Sequence, residues 1–249
     1  MQRYFIYLRF DGTSYHGWQI QPQSNSVQEE LQRGLSTLLR KEVTVTGAGR
    51  TDTGVHARRM VAHFDVEEPV DEQQLAYKLN RILPRDISVD KVVPVSENDH
   101  ARFSAIARTY HYFIHQNKNP FRRHYSCEIR YQLDFDAMNR AAARLLEVCD
   151  FGAFCKAGSD VKTTLCQVTE ARWVELEEPG CWYFVITANR FLRNMVRAIV
   201  GTLIEVGRHR ITQEEFDKII AHGNRTEAGD SMPGHALFLW DVVYERVSF

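Results

Sequence analysis

Twice along this chain the hydrophobic pattern runs strand, helix, strand, strand, helix, strand, and that order restricts the fold more than any other feature of the sequence. Tyr4 to Phe10 alternate as a strand and end in a turn at Asp11-Gly12-Thr13. Ser26-Val27-Gln28-Glu29 reads as a capping box, in which the Ser hydroxyl and the Glu carboxylate each satisfy a free backbone N–H. The stripe Val27, Leu31, Leu35, Leu38 predicts the helix behind it. Strands are expected at about 43–48 and 60–66, a helix from Asp71 carrying Leu75, Leu79 and Ile82, and a strand from Ile87 to Val95. The second half repeats the order. Arg108 to His115 alternates as a strand, Phe135 to Cys149 is an Ala/Leu-rich helix, and Val168 to Leu176 and Cys181 to Ala188 are strands. Leu192 to Val206 is an apolar helix, Thr212-Gln213-Glu214-Glu215 caps an extra one, and Leu237 to Val247 is a final strand.

Two β-α-β-β-α-β units resemble two ferredoxin-like modules in tandem: an α+β fold with a mixed, largely antiparallel sheet flanked by helices. The halves share no sequence self-similarity, so the duplication rests on element order alone. The expected division is residues 1–100, carrying the glycine-rich loop described below, and 101–249, with the junction in 95–105. A length of 249 residues suits one large or two modest domains and buries a core without disulfide staples. The five cysteines, Cys127, Cys149, Cys155, Cys166 and Cys181, are odd in number and show no CxxC spacing. That argues against a secreted disulfide framework or a zinc ribbon and for reduced thiols in a cytoplasmic protein. No apolar run nears the roughly 18 residues that cross a bilayer, and Met1-Gln2-Arg3-Tyr4 opens no signal-peptide core. The expectation is a cytoplasmic protein without a membrane partner.

One loop demands a chemical explanation. Gly47-Ala48-Gly49-Arg50-Thr51-Asp52-Thr53-Gly54-Val55-His56-Ala57-Arg58 places three glycines in eight residues, where backbone can approach a ligand or take positive φ. A dinucleotide loop needs GxGxxG, but its sixth position here is Asp52, whose carboxylate would repel a pyrophosphate, and a strand rather than a helix follows. The GK[ST] of a P-loop is absent. What remains is a carboxylate flanked by Arg50, Arg58, Arg59 and His56. Nearby cations favour its ionised form, available as nucleophile or base. The competing reading is an Asp that caps its own turn beside a solvated basic face, and spacing alone leaves both open.

Gly49-Arg50-Thr51-Asp52-Thr53-Gly54-Val55-His56-Ala57 resembles the signature of the TruA family of tRNA pseudouridine synthases. Five further blocks follow that family's order. They are Phe10-Asp11-Gly12-Thr13-Ser14-Tyr15-His16-Gly17-Trp18-Gln19 with Val27-Gln28, His100-Ala101-Arg102-Phe103-Ser104-Ala105, Arg108-Thr109-Tyr110-His111-Tyr112, Asp150-Phe151-Gly152-Ala153-Phe154-Cys155, and Phe191-Leu192-Arg193-Asn194-Met195-Val196-Arg197. The resemblance implies the pseudouridine synthase fold and a cofactor-independent isomerase acting on uridines 38, 39 and 40 of the tRNA anticodon stem-loop. It also implies a homodimer whose two subunits form the RNA cleft. By the same resemblance Asp52 is the nucleophile and Arg197 its basic partner. Tyr110 lies over the flipped base, Arg50 fills the space the base vacates, and Arg58 and Leu237 contact substrate. Independently of the family, an Arg among Met195, Val196, Ile199 and Val200 calls for a carboxylate, because an unpaired buried charge costs about 3–5 kcal/mol. Tyr110, read without the family, is a cross-strand aromatic beside Tyr112. One departure stands out: Met232-Pro233-Gly234-His235-Ala236-Leu237 has Ala236 where the family usually has Gly.

No metal is expected. HExxH, CxxC and the HxE…PCxxC of a zinc base deaminase are all missing, and His56, His63 and His111 are expected to pack or hydrogen-bond. A non-catalytic RNA-binding module, using Tyr110-His111-Tyr112-Phe113 as an aromatic platform, is the rival class. A synthase of the same class with another RNA target is the nearer alternative. A carboxylate nuclease would recruit metal through several acids, and this loop has one.

The net charge of -1 conceals segregation. Residues 101–131 carry Arg102, Arg108, Lys118, Arg122, Arg123 and Arg130 against Glu128 alone, and 190–210 carry five arginines against Glu205. Acidic residues gather in Asp65-Val66-Glu67-Glu68 and Glu175-Leu176-Glu177-Glu178. A basic surface averaged with an acidic one predicts RNA affinity that falls with salt.

Overall fold

The computed structural model describes residues 1–159 and 161–245. It divides into two compact units, Met1–Ala107 with the stretch from Phe238, and Arg108–Leu237. The last strand therefore returns to the first unit instead of staying with residues 101–249. Among the described residues there are nine strands and five α-helices, none of the helices long and apolar enough to cross a membrane.

In the first unit β1 (Gln2–Phe10) pairs antiparallel with both β4 (Ile87–Val95) and β3 (His56–Val66), and the short β2 (Thr46–Gly47) lies against β3. The order β4-β1-β3-β2 is the ferredoxin-like arrangement expected from the sequence. A parallel strand, β9 (Leu237–Tyr244), joins it, setting Phe238 and Leu239 beside His56 and Ala57. The expected Arg246 and Val247 of this strand lie outside the described residues.

Tyr4 to Leu8 are all buried, so β1 is covered on both faces rather than alternating inward and outward. Tyr4 stacks on Phe64 at 5.6 Å on one face, and Phe5 meets Tyr244 at 5.1 Å on the other. Helices α1 (Val27–Leu39) and α2 (Glu72–Ile82) bury Val27, Leu31, Leu35, Leu75 and Leu79. The hydroxyl of Ser26 accepts from the Glu29 N–H and the carboxylate of Asp71 from the Gln74 N–H. The strand expected at 43–48 shrinks to two residues for a visible reason. The Val43 and Val45 N–H groups donate to Ser36 and Gln32, and the Val45 carbonyl accepts from Gln28, all side chains of α1. Side chains have taken the backbone groups a ladder would use.

In the second unit β5 (Ala105–His115) pairs antiparallel with β8 (Cys181–Ala188), which pairs with β7 (Val168–Glu175), while β6 (Cys127–Glu128) lies parallel to the end of β5. Helix α3 (Phe135–Arg144) ends short of the expected Cys149, because Cys149 and Phe151 bond instead to Cys166 and Thr164. Helix α4 (Met195–Gly207) starts three residues later than expected because Asn194 takes φ 66°. Helix α5 (Gln213–His222) carries both arms of the Thr212–Glu215 capping box. All five cysteines are free thiols, and Cys149 alone is exposed.

His63, buried on β3, accepts the Ala101 N–H at Nδ1 (3.2 Å). Burial first, then the charges of Arg3 and His100, lower its pKa to about 4, against a weaker opposing pull from Asp65. The unfolded chain takes up this proton near pH 6.5 and the folded chain near 4. The unfolded state therefore binds more protons in that window, and stability is full above it and falls as the pH drops through it. Urea unfolding between pH 7.5 and 4.5 will show this decline, and His63→Gln will make it shallower, leaving the part due to His111, whose pKa burial likewise lowers to about 4.

Candidate active site

The glycine-rich loop of the first unit is held by main chain. Its entry is fixed where the Ala48 N–H donates to the Val61 carbonyl at 2.7 Å. Its tip is a turn in which the Asp52 carbonyl accepts the Val55 N–H at 3.1 Å, with Gly54 at φ 75°. Segment 11–18 braces this turn from behind. Tyr15 accepts the Gly54 N–H at 3.2 Å, and the Trp18 N–H reaches the Thr51 carbonyl at 3.4 Å. The Gly12 N–H donates to Nδ1 of His56 at 2.9 Å, with Asp11 Oδ1 3.1 Å from the same nitrogen. His56 is 1% exposed and stacks on Phe238 at 4.5 Å.

This approach leaves no room for side chains. A β-carbon on Gly12 would lie 2.1 Å from the Val55 carbonyl oxygen, and one on Gly17, at φ 96°, 2.2 Å from that of Thr51. The two sequence blocks 10–19 and 49–57 are thus halves of one backbone clamp, and the clamp presents Asp52, half-buried, with Arg50 exposed two residues before it. Arg58 is exposed on β3 and stands over the Trp240 ring at 5.3 Å. It lies where the pairing with β1 slips, Leu8 facing Met60 but Phe10 facing Ala57. Arg59 extends to Asp241 at 2.9 Å.

In the second unit Tyr110 is half-buried and meets Phe191 edge-on at 5.0 Å. Tyr112, two residues on, is fully buried and donates to the Pro233 carbonyl at 3.1 Å. Burial drives its phenol pKa well up, against a downward pull from Arg197. Arg197 donates through Nε to the Met232 carbonyl and accepts the Met232 N–H at 3.1 Å with its own carbonyl. Segment 229–232 reaches α4 because Gly201 has no β-carbon; one would lie 1.8 Å from the Asp230 carbonyl oxygen. Leu237, 5% exposed, follows a 3-10 turn whose Ala236 is fully buried. Ala236 is not among the described residues with positive φ, so the backbone there does not require glycine.

Asp52, Arg50 and Arg58 are thus placed by the first unit, and Tyr110, Arg197 and Leu237 by the second. The aromatic platform of the rival reading is split by the pleat: Tyr112 is core, while His111 stacks on Tyr183 at 4.7 Å. Burial and then Arg172 lower the His111 pKa to about 4. His56, His63 and His111 all pack or hydrogen-bond, as their sequence contexts implied. No cluster of three metal-ligating side chains occurs among the described residues.

The model of the tRNA pseudouridine synthase family matches residues 6–104 and 141–245. The chain belongs to that family. A Bacteroides thetaiotaomicron protein named tRNA pseudouridine synthase A is 56% identical over 250 residues, covering 100% of this chain and 93% of the relative. The namesake of Bacteroides fragilis is also 56% identical, covering 100% and 99%. That of Bacillus subtilis is 37% identical, covering 96% and 98%. The chain is accordingly an isomerase, of a family that works without a cofactor.

What sequence reading missed is the clamp. Gly12, Gly17 and His56 were visible as letters of motifs, but their work is mutual and spans about forty residues. Gly12→Ala will displace the Asp52 turn and lower single-turnover pseudouridine formation on the order of a hundredfold, the scale of a 1 Å misplacement. His56→Ala will act in the same direction. Gly49→Ala, whose β-carbon meets nothing within 4 Å, will retain turnover in the same assay.

Proposed function

We propose that the protein converts uridines 38, 39 and 40 of the tRNA anticodon stem-loop to pseudouridine, with Asp52 as nucleophile, acting as a homodimer in the cytoplasm. The observation that carries this reading is the backbone clamp, which holds one carboxylate half-buried on a rigid turn beside exposed Arg50, in a chain of this family. The reaction breaks the N1–C1′ bond, turns the base, and joins C5 to C1′; C5 loses a proton and N1 gains one. Nothing is oxidised and no external group enters, so positioned side chains suffice.

Asp52 supplies the covalent attack that detaches or captures the base. Arg197 is its electrostatic partner, and the Met232 carbonyl fixes the orientation of that guanidinium. Tyr110 stacks on the extruded uracil and places its hydroxyl toward the C5 proton, its ring plane set by Phe191. Extruding the base costs a few kcal/mol. Arg50 offsets this by filling the gap, since a planar guanidinium stacks on bases and contacts phosphate together. Arg58 and Leu237 complete the substrate contacts.

Asp52→Asn will abolish pseudouridine formation while leaving tRNA affinity nearly intact, whereas Arg50→Ala will weaken both. Pseudouridine produced by the Asp52→Asn protein would refute the nucleophile assignment. Mapping of tRNA from a strain lacking the protein will show unmodified uridine at positions 38 to 40; loss at other positions would move the target elsewhere.

A further inference from the structure

Beyond β5 the second unit builds a surface that the chemistry above does not use. Loop 116–126 carries Lys118, Arg122, Arg123 and His124 within seven residues. Phe121 stands out from it 91% exposed, and Tyr125 is 45% exposed. An open cavity of about 480 Å³ lies beside them, lined by Asn119, Phe121, Arg122, Tyr125, Ser126 and Glu178.

The loop is pinned, so the exposure of Phe121 is built in. The Phe121 N–H donates to the Asn119 side chain at 2.9 Å, the Arg122 N–H to the Asn119 carbonyl at 3.2 Å, and the Tyr125 N–H to the Arg122 carbonyl at 3.0 Å. Glu178 accepts from Arg122 Nε at 3.2 Å and from Asn119 at 3.4 Å. The one carboxylate of the cavity is thereby occupied internally, and Arg122 holds its pKa below the usual range. Lys118 and Arg123, both exposed, add positive charge to the same loop, Arg123 donating through Nε to Nε2 of His124 at 2.8 Å.

We propose that this loop is an auxiliary RNA-contact site, where an unstacked nucleobase of the tRNA lies on Phe121 and its neighbouring phosphates rest on Lys118 and Arg123. The inference builds on the reading that tRNA is the substrate. An aromatic face takes any base, and cations track the backbone beside it. The site is not the reacting one. Tyr110 lies five residues back from His115, the last residue of β5, which is about 17 Å of strand, so the bound nucleotide is separated from the target uridine. A second copy fits less well: a two-fold contact through this patch would bring two basic surfaces together, with Lys118 and Arg123 of each copy adding charge of the same sign.

The test is the equilibrium binding of unmodified tRNA to the full-length protein at fixed and at varied salt. Phe121→Ala will weaken the Kd about tenfold, and Phe121→Trp will stay within about twofold of wild type. Arg123→Ala will make the log–log dependence of Kd on salt shallower by about one. Circular dichroism and sedimentation of the same variants report folding and assembly. Unchanged tRNA affinity in a folded Phe121→Ala protein overturns the proposal, as does a shift of that variant to a smaller sedimenting species, which makes the patch a contact between copies. Failure of the wild-type protein to form pseudouridine in tRNA overturns instead the reading beneath it.

Discussion

The candidate site hangs on a main-chain contact: segment 11–18 packed directly against the turn that bears Asp52. The Gly12 and Trp18 N–H groups and the Tyr15 carbonyl serve the loop 51–56, and each such bond is worth about 1 kcal/mol net. Their value lies less in that sum than in geometry. A carboxylate held by backbone on both sides has few soft torsions left, and its position follows the sheet rather than the solvent. The His56 side chain takes part in the contact, and it is buried and stacked.

The second unit uses the same device for a different group. Gly201 lets the backbone of 229–230 lie on α4, and the Thr202 hydroxyl anchors it by accepting the Gly229 N–H at 2.9 Å. The segment then delivers the Met232 and Pro233 carbonyls to Arg197 and Tyr112. In both units a missing β-carbon is what allows one stretch of chain to lie against another and fix the side chains it carries.

Element order and capping chemistry were legible in the sequence, because period and cap are local properties: Ser26, Asp71 and Thr212 cap helices where their patterns placed them. The loop around Asp52 was legible as a motif: eliminating phosphate-binding loops left a carboxylate among cations, and the resemblance pointed to the family the chain belongs to. What could not be read was anything set by partners far away in the chain. Residues 43–45 have a strand's composition, yet α1 side chains claimed their backbone. Helix α3 stopped early because residues near 165 captured its continuation. The membership of β9 depended on Phe238 meeting His56, and no window of sequence contains both.

That last pairing has a temporal side. The residues that lead out of the Asp52 turn, His56 and Ala57, take as strand neighbours Phe238 and Leu239, which leave the ribosome some hundred and eighty residues later. Contacts of such long sequence separation form late and slowly. The first unit is thus the earlier to be synthesised yet has to wait for nearly the whole second unit before its last strand arrives. The turn that bears Asp52 gains its final strand support only when synthesis is almost complete, so a nascent or interrupted chain carries the loop 49–54 before it carries the strand that braces its exit.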